Sequence, residues 1–243
     1  MAQFDERPSA QDYAPGRWNP YADAIDRSQS RSTFLNGVYQ HMALGLGVTG
    51  IVAMLAARSP EAIGLVIQHP FILIFAQLGV VLALNGLSDR LNTFATGSLF
   101  YLYSALTGLM FSLLFVIYTG ESIATTFFVT GGTFGAMSIY GYVTKRDLTG
   151  MGNFLLMGLI GLILASLVNF WLQSSMIMWI TTWLGVLIFT GLSAYDTQKI
   201  RRIADSLGAG ETAGKVAIRA ALILYLDFIN LFLMLLRLLG RRR

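Results

Sequence analysis

Long uncharged stretches alternate with short polar connections along this chain. No Asp, Glu, Lys or Arg occurs from Phe34 to Ala57, from His69 to Ser88 or from Leu91 to Gly120. A helix crosses the hydrocarbon core of a bilayer with about 20 predominantly apolar residues. The pattern therefore predicts spans at Phe34–Ala57, Pro70–Leu87, Phe94–Tyr118, Glu121–Val143, Gly152–Leu172, Met176–Thr197 and Val216–Leu236. Thr119-Gly120 and Gln173 to Ser175 are links too short for anything but antiparallel neighbours. Ser59 to Gln68 is mildly apolar and is expected to lie along the interface. The expected fold is an all-α integral membrane protein, a seven-transmembrane helix bundle over residues 33–243. Residues 1–32 are expected to form a disordered cytoplasmic tail, since they carry Asp5, Glu6, Asp12, Asp23 and Asp26 among Pro8, Pro15 and Pro20 without an apolar run.

Composition agrees with this pattern. Only 12% of the 243 residues are charged while 55% are hydrophobic, against roughly 25% charged in a soluble domain. There is no cysteine, which excludes disulfides, thiolate metal sites and thiol catalysis. The net charge of +4 gathers in clusters such as Lys199, Arg201 and Arg202, and Arg241 to Arg243. No aromatic residues interleave with these clusters, so they point to membrane flanks and not to nucleic acid. Arg7, Arg17, Arg27 and Arg31 share a side with Arg90, Lys145, Arg146, Lys199, Arg201 and Arg202. That side is expected to be cytoplasmic. The last span is long enough to cross, which would place Arg241 to Arg243 outside; re-entry would keep them inside. Small residues mark expected helix contacts: Gly45 and Gly47 in the first span, Gly131, Gly132 and Gly135 in the fourth, Gly158 and Gly161 in the fifth.

Two acids interrupt the apolar pattern. Asp196 lies in Ser193-Ala-Tyr-Asp196-Thr-Gln198, and Asp227 in Leu224-Tyr-Leu-Asp227-Phe-Ile-Asn-Leu-Phe232. An Asp at the centre of a membrane helix costs about 2.5–3.5 kcal/mol on insertion scales. Asp227 should therefore face the bundle interior and find a partner. Measured from Lys199 and Arg219 as membrane edges, Asp196 would lie roughly 5 Å deep and Asp227 about 12 Å deep, a mismatch that argues against direct pairing unless a helix is tilted or begins deeper. If the two carboxyl groups do meet, they share one proton and clamp two helices; a second proton loosens the clamp. Deprotonated, they form a weak site for a hard cation such as Ca²⁺, which seeks six to eight oxygens. The plainer alternatives are that Asp196 neutralises the basic stretch after it, and that Asp227 makes a structural hydrogen bond to Tyr195, Ser193 or Asn230. His41 is expected to sit in water near the cytoplasmic end of the first span. No metal-binding His/Glu spacing and no phosphate loop occurs, so neither enzymatic activity nor a bound cofactor is expected.

The two Asp motifs, the seven-span plan and the chain length resemble the Bax inhibitor-1 family, also called the transmembrane Bax inhibitor motif family, from about Ser32 onward. The resemblance implies a bundle with the last helix central and a pH-sensitive Ca²⁺ leak channel, in which Asp196 and Asp227 form the weak Ca²⁺ site and proton sensor. Eukaryotic relatives oppose cell death, and some bacterial relatives are associated with a membrane-bound protease, which makes such a protease a conceivable partner. The family sensor also draws on a charged residue of the second helix. This chain has Gln77 and Asn85 there, with Arg90 at the foot of the span. Arg90, Tyr195 and Asn230 are expected as supporting contacts. The rival expectations are a membrane-embedded regulatory protein, with structural acids, and a proton-coupled cation exchanger.

Overall fold

The computed structural model describes residues 20–87, 90–207 and 211–243. Among these the chain forms α1 (Pro20–Ala56), α2 (Pro60–Gln68), α3 (Pro70–Gly86), α4 (Thr93–Ile117), α5 (Gly120–Val143), α6 (Thr149–Leu172), α7 (Ser175–Ser206) and α8 (Glu211–Leu239). Helix starts carry the expected chemistry. The Asn92 side chain accepts from the Ala95 amide at 2.8 Å, satisfying a first-turn donor of α4. Thr119 and Ser174 cap α5 and α7 in the same way. Pro60 and Pro70 open α2 and α3, where a missing N–H costs nothing.

Pro70 also explains the sharp bend between those two helices. The residue before a proline is driven out of helical geometry, and His69 sits at φ −129° and ψ 47°. The α2–α3 pair is bent by 83° there. The segment expected along the interface is thus a separate short helix, turned almost across its neighbour.

Two expected boundaries move. α1 begins at Pro20, so residues 20–32 of the segment expected to be a tail are helical; residues 1–19 lie outside the described residues. α7 continues past Lys199 to Ser206. Lys199 therefore does not mark a helix end.

Five described helices are long and apolar enough to cross a membrane, or six if the bent α2–α3 pair counts as one span. α5 is 24 residues long but falls short in hydropathy, because it is rich in Thr, Ser and Gly. Four of its hydroxyl residues point inward: Ser122, Thr126, Thr130 and Ser138 are buried. Its outer face shows Phe128 at 76% exposure, and α6 shows Phe154 and Trp171 in the same way. Such an apolar exterior is out of place in water and suits lipid.

α8 packs against α1, α4, α5 and α7 and is the most buried of the candidate spans. α6 packs chiefly on α7. The chain end is tied to the α4–α5 turn: the Thr119 amide donates to the Arg241 carbonyl at 3.1 Å and the Arg243 amide to the Ile117 carbonyl at 2.9 Å. The other end of the bundle gathers Arg31, Tyr142 and Asp205. α8 thus runs the full length between two ends and does not turn back.

Helix contacts only partly follow the expected glycines. Gly45 lies against the Phe100 ring, and Gly158 near Ile188. Around Gly47, Gly131, Gly132, Gly135 and Gly161 nothing comes within 4 Å of an added Cβ. The closest backbone approaches fall elsewhere. A Cβ on Gly108 would sit 2.6 Å from the Thr49 carbonyl, and one on Gly141 would run into the Ala194 carbonyl. Periodicity shows that a small residue is present but not which face it occupies. Gly→Ala inside a helix ordinarily gains up to about 1 kcal/mol, whereas overpacking a tight contact costs about 1–3 kcal/mol. Gly141→Ala is therefore expected to lower the thermal midpoint in detergent, and Gly135→Ala to leave it unchanged or raise it. Equal midpoints for the two variants contradict this packing.

Candidate functional site

The interior of an apolar bundle offers an acid few partners, and the two acids here find each other. α7 buries Ser193, Ala194, Asp196 and Thr197. α8 buries Leu224, Tyr225, Asp227 and Phe228. Asp196 is 9% and Asp227 6% exposed, and their carboxyl groups lie within hydrogen-bonding reach of one another. Asp227 Oδ2 is buried and receives no hydrogen bond from an amide or hydroxyl among the described residues. A bond between two carboxyl groups requires a proton on one of them. The two acids come together despite the difference in depth expected from Lys199 and Arg219, and α7 continues beyond Lys199 to Ser206. Lys199, one turn along α7, is the charged group that Asp196 feels.

The supporting residues are placed differently from one another. Arg90 is exposed in the connection between α3 and α4, with its amide on the Leu87 carbonyl. It stands outside the buried pair, because α3 has ended and the chain is turning. Tyr195 presses its ring on Gly152 of α6 and serves packing on that side of α7. Asn230 is half-buried on α8, one turn beyond Asp227. Gln77 donates to Thr107 Oγ1 at 2.9 Å, and Asn85 donates to the Val81 carbonyl at 3.0 Å. His41 is half-buried, its Nδ1 2.7 Å from the Tyr101 hydroxyl, and so it is bonded to α4 and not simply hydrated.

Three features carry no warning in the pattern. The first is a neutral network. Tyr225 Oη lies 2.6 Å from Thr49 Oγ1, which also reaches the Gly45 carbonyl at 3.0 Å and the Ser104 carbonyl at 2.9 Å. With Thr49 donating to one of these carbonyls, the Tyr225 hydroxyl becomes the donor to Thr49. Thr107, whose own hydroxyl donates to the Tyr103 carbonyl at 2.9 Å, lies beside Tyr225 and is held by Gln77. The network ties α1, α3, α4 and α8 together. Serine and threonine are common in membrane helices, so nothing in the sequence singles these out.

The second feature is Gln198, buried at 3% exposure. It accepts from the Leu148 amide at 2.9 Å and donates to the Arg146 carbonyl at 2.8 Å, fastening the α5–α6 connection to α7. Arg202 reinforces it, bonding Gln198 at 2.9 Å and Asp147 at 2.6 Å. That guanidinium, with the Thr149 hydroxyl and amide, holds the exposed Asp147 carboxyl well below the usual carboxylate range. The third is a pair of guanidiniums about Tyr142: Arg31 lies 5.7 Å and Arg201 5.9 Å from the ring centre.

Apolar helices with an exposed aromatic exterior, enclosing paired acids, define a multi-pass helical membrane protein. The chain belongs to the Bax inhibitor-1 family: the family model described as "Inhibitor of apoptosis-promoting Bax1" matches residues 31–243. It is similar to the inner membrane protein YbhL of Escherichia coli K12, 50% identical over 92% of this chain and 98% of that protein. An uncharacterized protein of Rickettsia prowazekii is 46% identical over 92% of this chain and 98% of its own length. An uncharacterized membrane protein of Streptococcus pyogenes is 36% identical over 86% and 92%.

Replacing Gln198 by Leu strands the Leu148 amide and the Arg146 carbonyl, at about 1–3 kcal/mol for each buried group left unpaired. Gln198→Leu is expected to lower the thermal midpoint and to speed tryptic cleavage at Lys145 and Arg146. Cleavage at the wild-type rate contradicts the role given to Gln198.

Proposed function

We propose that this protein is a passive, proton-gated cation leak, with Ca²⁺ as the permeant ion, in a bacterial inner membrane. The chain crosses seven times, with the bent α2–α3 pair as the second crossing, the N-terminus cytoplasmic and α8 at the centre. It works without enzymatic chemistry or a resident cofactor.

The reading is carried by one observation: two carboxyl groups from different helices meet inside a bundle whose exterior suits lipid. A buried acid pair is expensive to keep and is a natural proton sensor. Among the described residues no group of three or more His, Cys, Asp or Glu gathers. Two carboxylates with hydroxyls and carbonyls nearby fall short of the oxygen set of a tight Ca²⁺ site, which suits an ion in transit.

The sign of the gating follows from the shared proton. With one proton the bond between the acids is charge-assisted and strong. With two it becomes neutral and weaker, so α7 and α8 loosen as the bath turns acid. The other titratable groups facing the core are engaged elsewhere: His41 with Tyr101, Tyr103 with Thr107 and Tyr225 with Thr49. Lys199 is the cation that acts on Asp196.

In liposomes the wild type is expected to pass Ca²⁺ several-fold faster in an acid bath than in an alkaline one. Asp227→Asn replaces the shared proton by a fixed N–H donor and leaves Asp196 to titrate alone, so the acid rise in its flux is expected to move to a different pH. A flat wild-type profile, or an Asn variant with the wild-type profile, overturns the reading.

A further inference from the structure

α1 and α5 both pack on α7 and α8, and their halves near the basic end of the bundle are parted by an apolar groove of about 680 Å³. The groove is graded along its length. Ser32, Asn36 and Tyr142 line it near the basic end, and Met42, Leu46 and Phe134 line it deeper. On α1 the run from Ser32 to Leu46 spans about 20 Å, enough to accompany much of an acyl chain through one leaflet. A polar mouth leading to an apolar slot on a lipid-facing surface has the form of an amphiphile.

The mouth is also charged. Arg31 and Arg201 flank Tyr142. Arg31 pairs with Asp205 at 3.1 Å, and Arg201 donates to the Tyr142 carbonyl. Two guanidiniums against one carboxylate leave a positive excess. Arg201 Nε is moreover a buried donor with no partner among the described residues. A phosphate supplies both the missing charge and the missing acceptor oxygens, and basic pockets between membrane helices are suited to anionic headgroups.

We propose that the α1–α5 groove is a binding site for an anionic phospholipid, one acyl chain lying between the helices and the phosphate held at Arg31 and Arg201. The bound chain lies against Ser138, whose hydroxyl is 3.3 Å from that of Thr197, the residue next to Asp196. The site stands whether or not the protein conducts ions.

Native mass spectrometry of the full-length protein, titrated in detergent with phosphatidylglycerol or phosphatidylethanolamine, tests it. The first phosphatidylglycerol is expected to bind roughly fivefold more tightly, as one uncompensated cation near the headgroup implies. Arg201→Gln should erase the preference. Gly135 lines the groove, and nothing lies within 4 Å of a Cβ added there, so Gly135→Phe places its ring in the slot and should cut retention of both lipids. Equal affinities in the wild type, or undiminished retention in Gly135→Phe, overturn the proposal. So does a lipid-free dimer that Gly135→Phe splits, which assigns the groove to a second copy. Lipid binding that emerges only after removal of residues 1–19 assigns it to the chain's own N-terminal segment and equally overturns the proposal.

Discussion

A carboxyl group inside hydrocarbon needs a polar partner, and the meeting of Asp196 with Asp227 is the contact on which the architecture turns. It requires α7 and α8 to be adjacent, antiparallel and in one register. It also requires that α8 be screened from lipid on its other sides, which α1, α4 and α5 accomplish. The cost of an intramembrane Asp, about 2.5–3.5 kcal/mol on insertion scales, exceeds the worth of an ordinary hydrogen bond, about 1 kcal/mol. The acids therefore fix the packing more firmly than any single apolar contact.

Several other buried hydroxyls solve the problem locally. Ser104 donates to the Phe100 carbonyl, Thr130 to Thr126 and Ser193 to Phe189, each one turn back in its own helix. A hydroxyl satisfied in this way places no demand on another helix. It also keeps the side chain short, so backbones approach. That is how α5 can turn Thr126 and Thr130 to the core while Phe128 meets lipid. An aspartate has no donor to offer its own carbonyls and must look across to another helix. The difference explains why the hydroxyls are numerous and silent while the acids are few and paired.

The same distinction governs what was legible in the sequence. Charge-free gaps located the helices well, because charge is excluded from hydrocarbon along the whole span. Asp196 and Asp227 stood out for the same reason, and their motifs carried the family resemblance. Facing was far less legible. Gly135 sits at GxxxG spacing with Gly131 yet borders a groove, while Gly141 makes the tight contact, since spacing alone does not orient a helix that is apolar on most sides. Charge-free gaps mark where a helix crosses hydrocarbon but not where the helix itself stops, so α1 and α7 run beyond the expected spans to Pro20 and Ser206. Gln198 was visible only as a letter of the motif, because its role depends on a loop folding back from α5.

The absence of charge within α3 has a mechanical meaning. Gln77 ties α3 to Thr107 of α4, and α4 is tied in turn through the Ser104 carbonyl to Thr49 of α1 and from there to Tyr225 of α8. Every bond in that chain is neutral, and none gains or loses a proton as the bath changes between mildly acid and mildly alkaline. α8 is therefore held on one side by a clamp indifferent to pH and on another by the carboxyl pair. Under the proposed gating, protons act on the second clamp alone. The helix released is then α7, against an α8 that stays fixed to α1 and α4. α7 also carries Gln198 and Arg202, which grip the α5–α6 connection, so its displacement would be passed to the basic end of the bundle and not to α3.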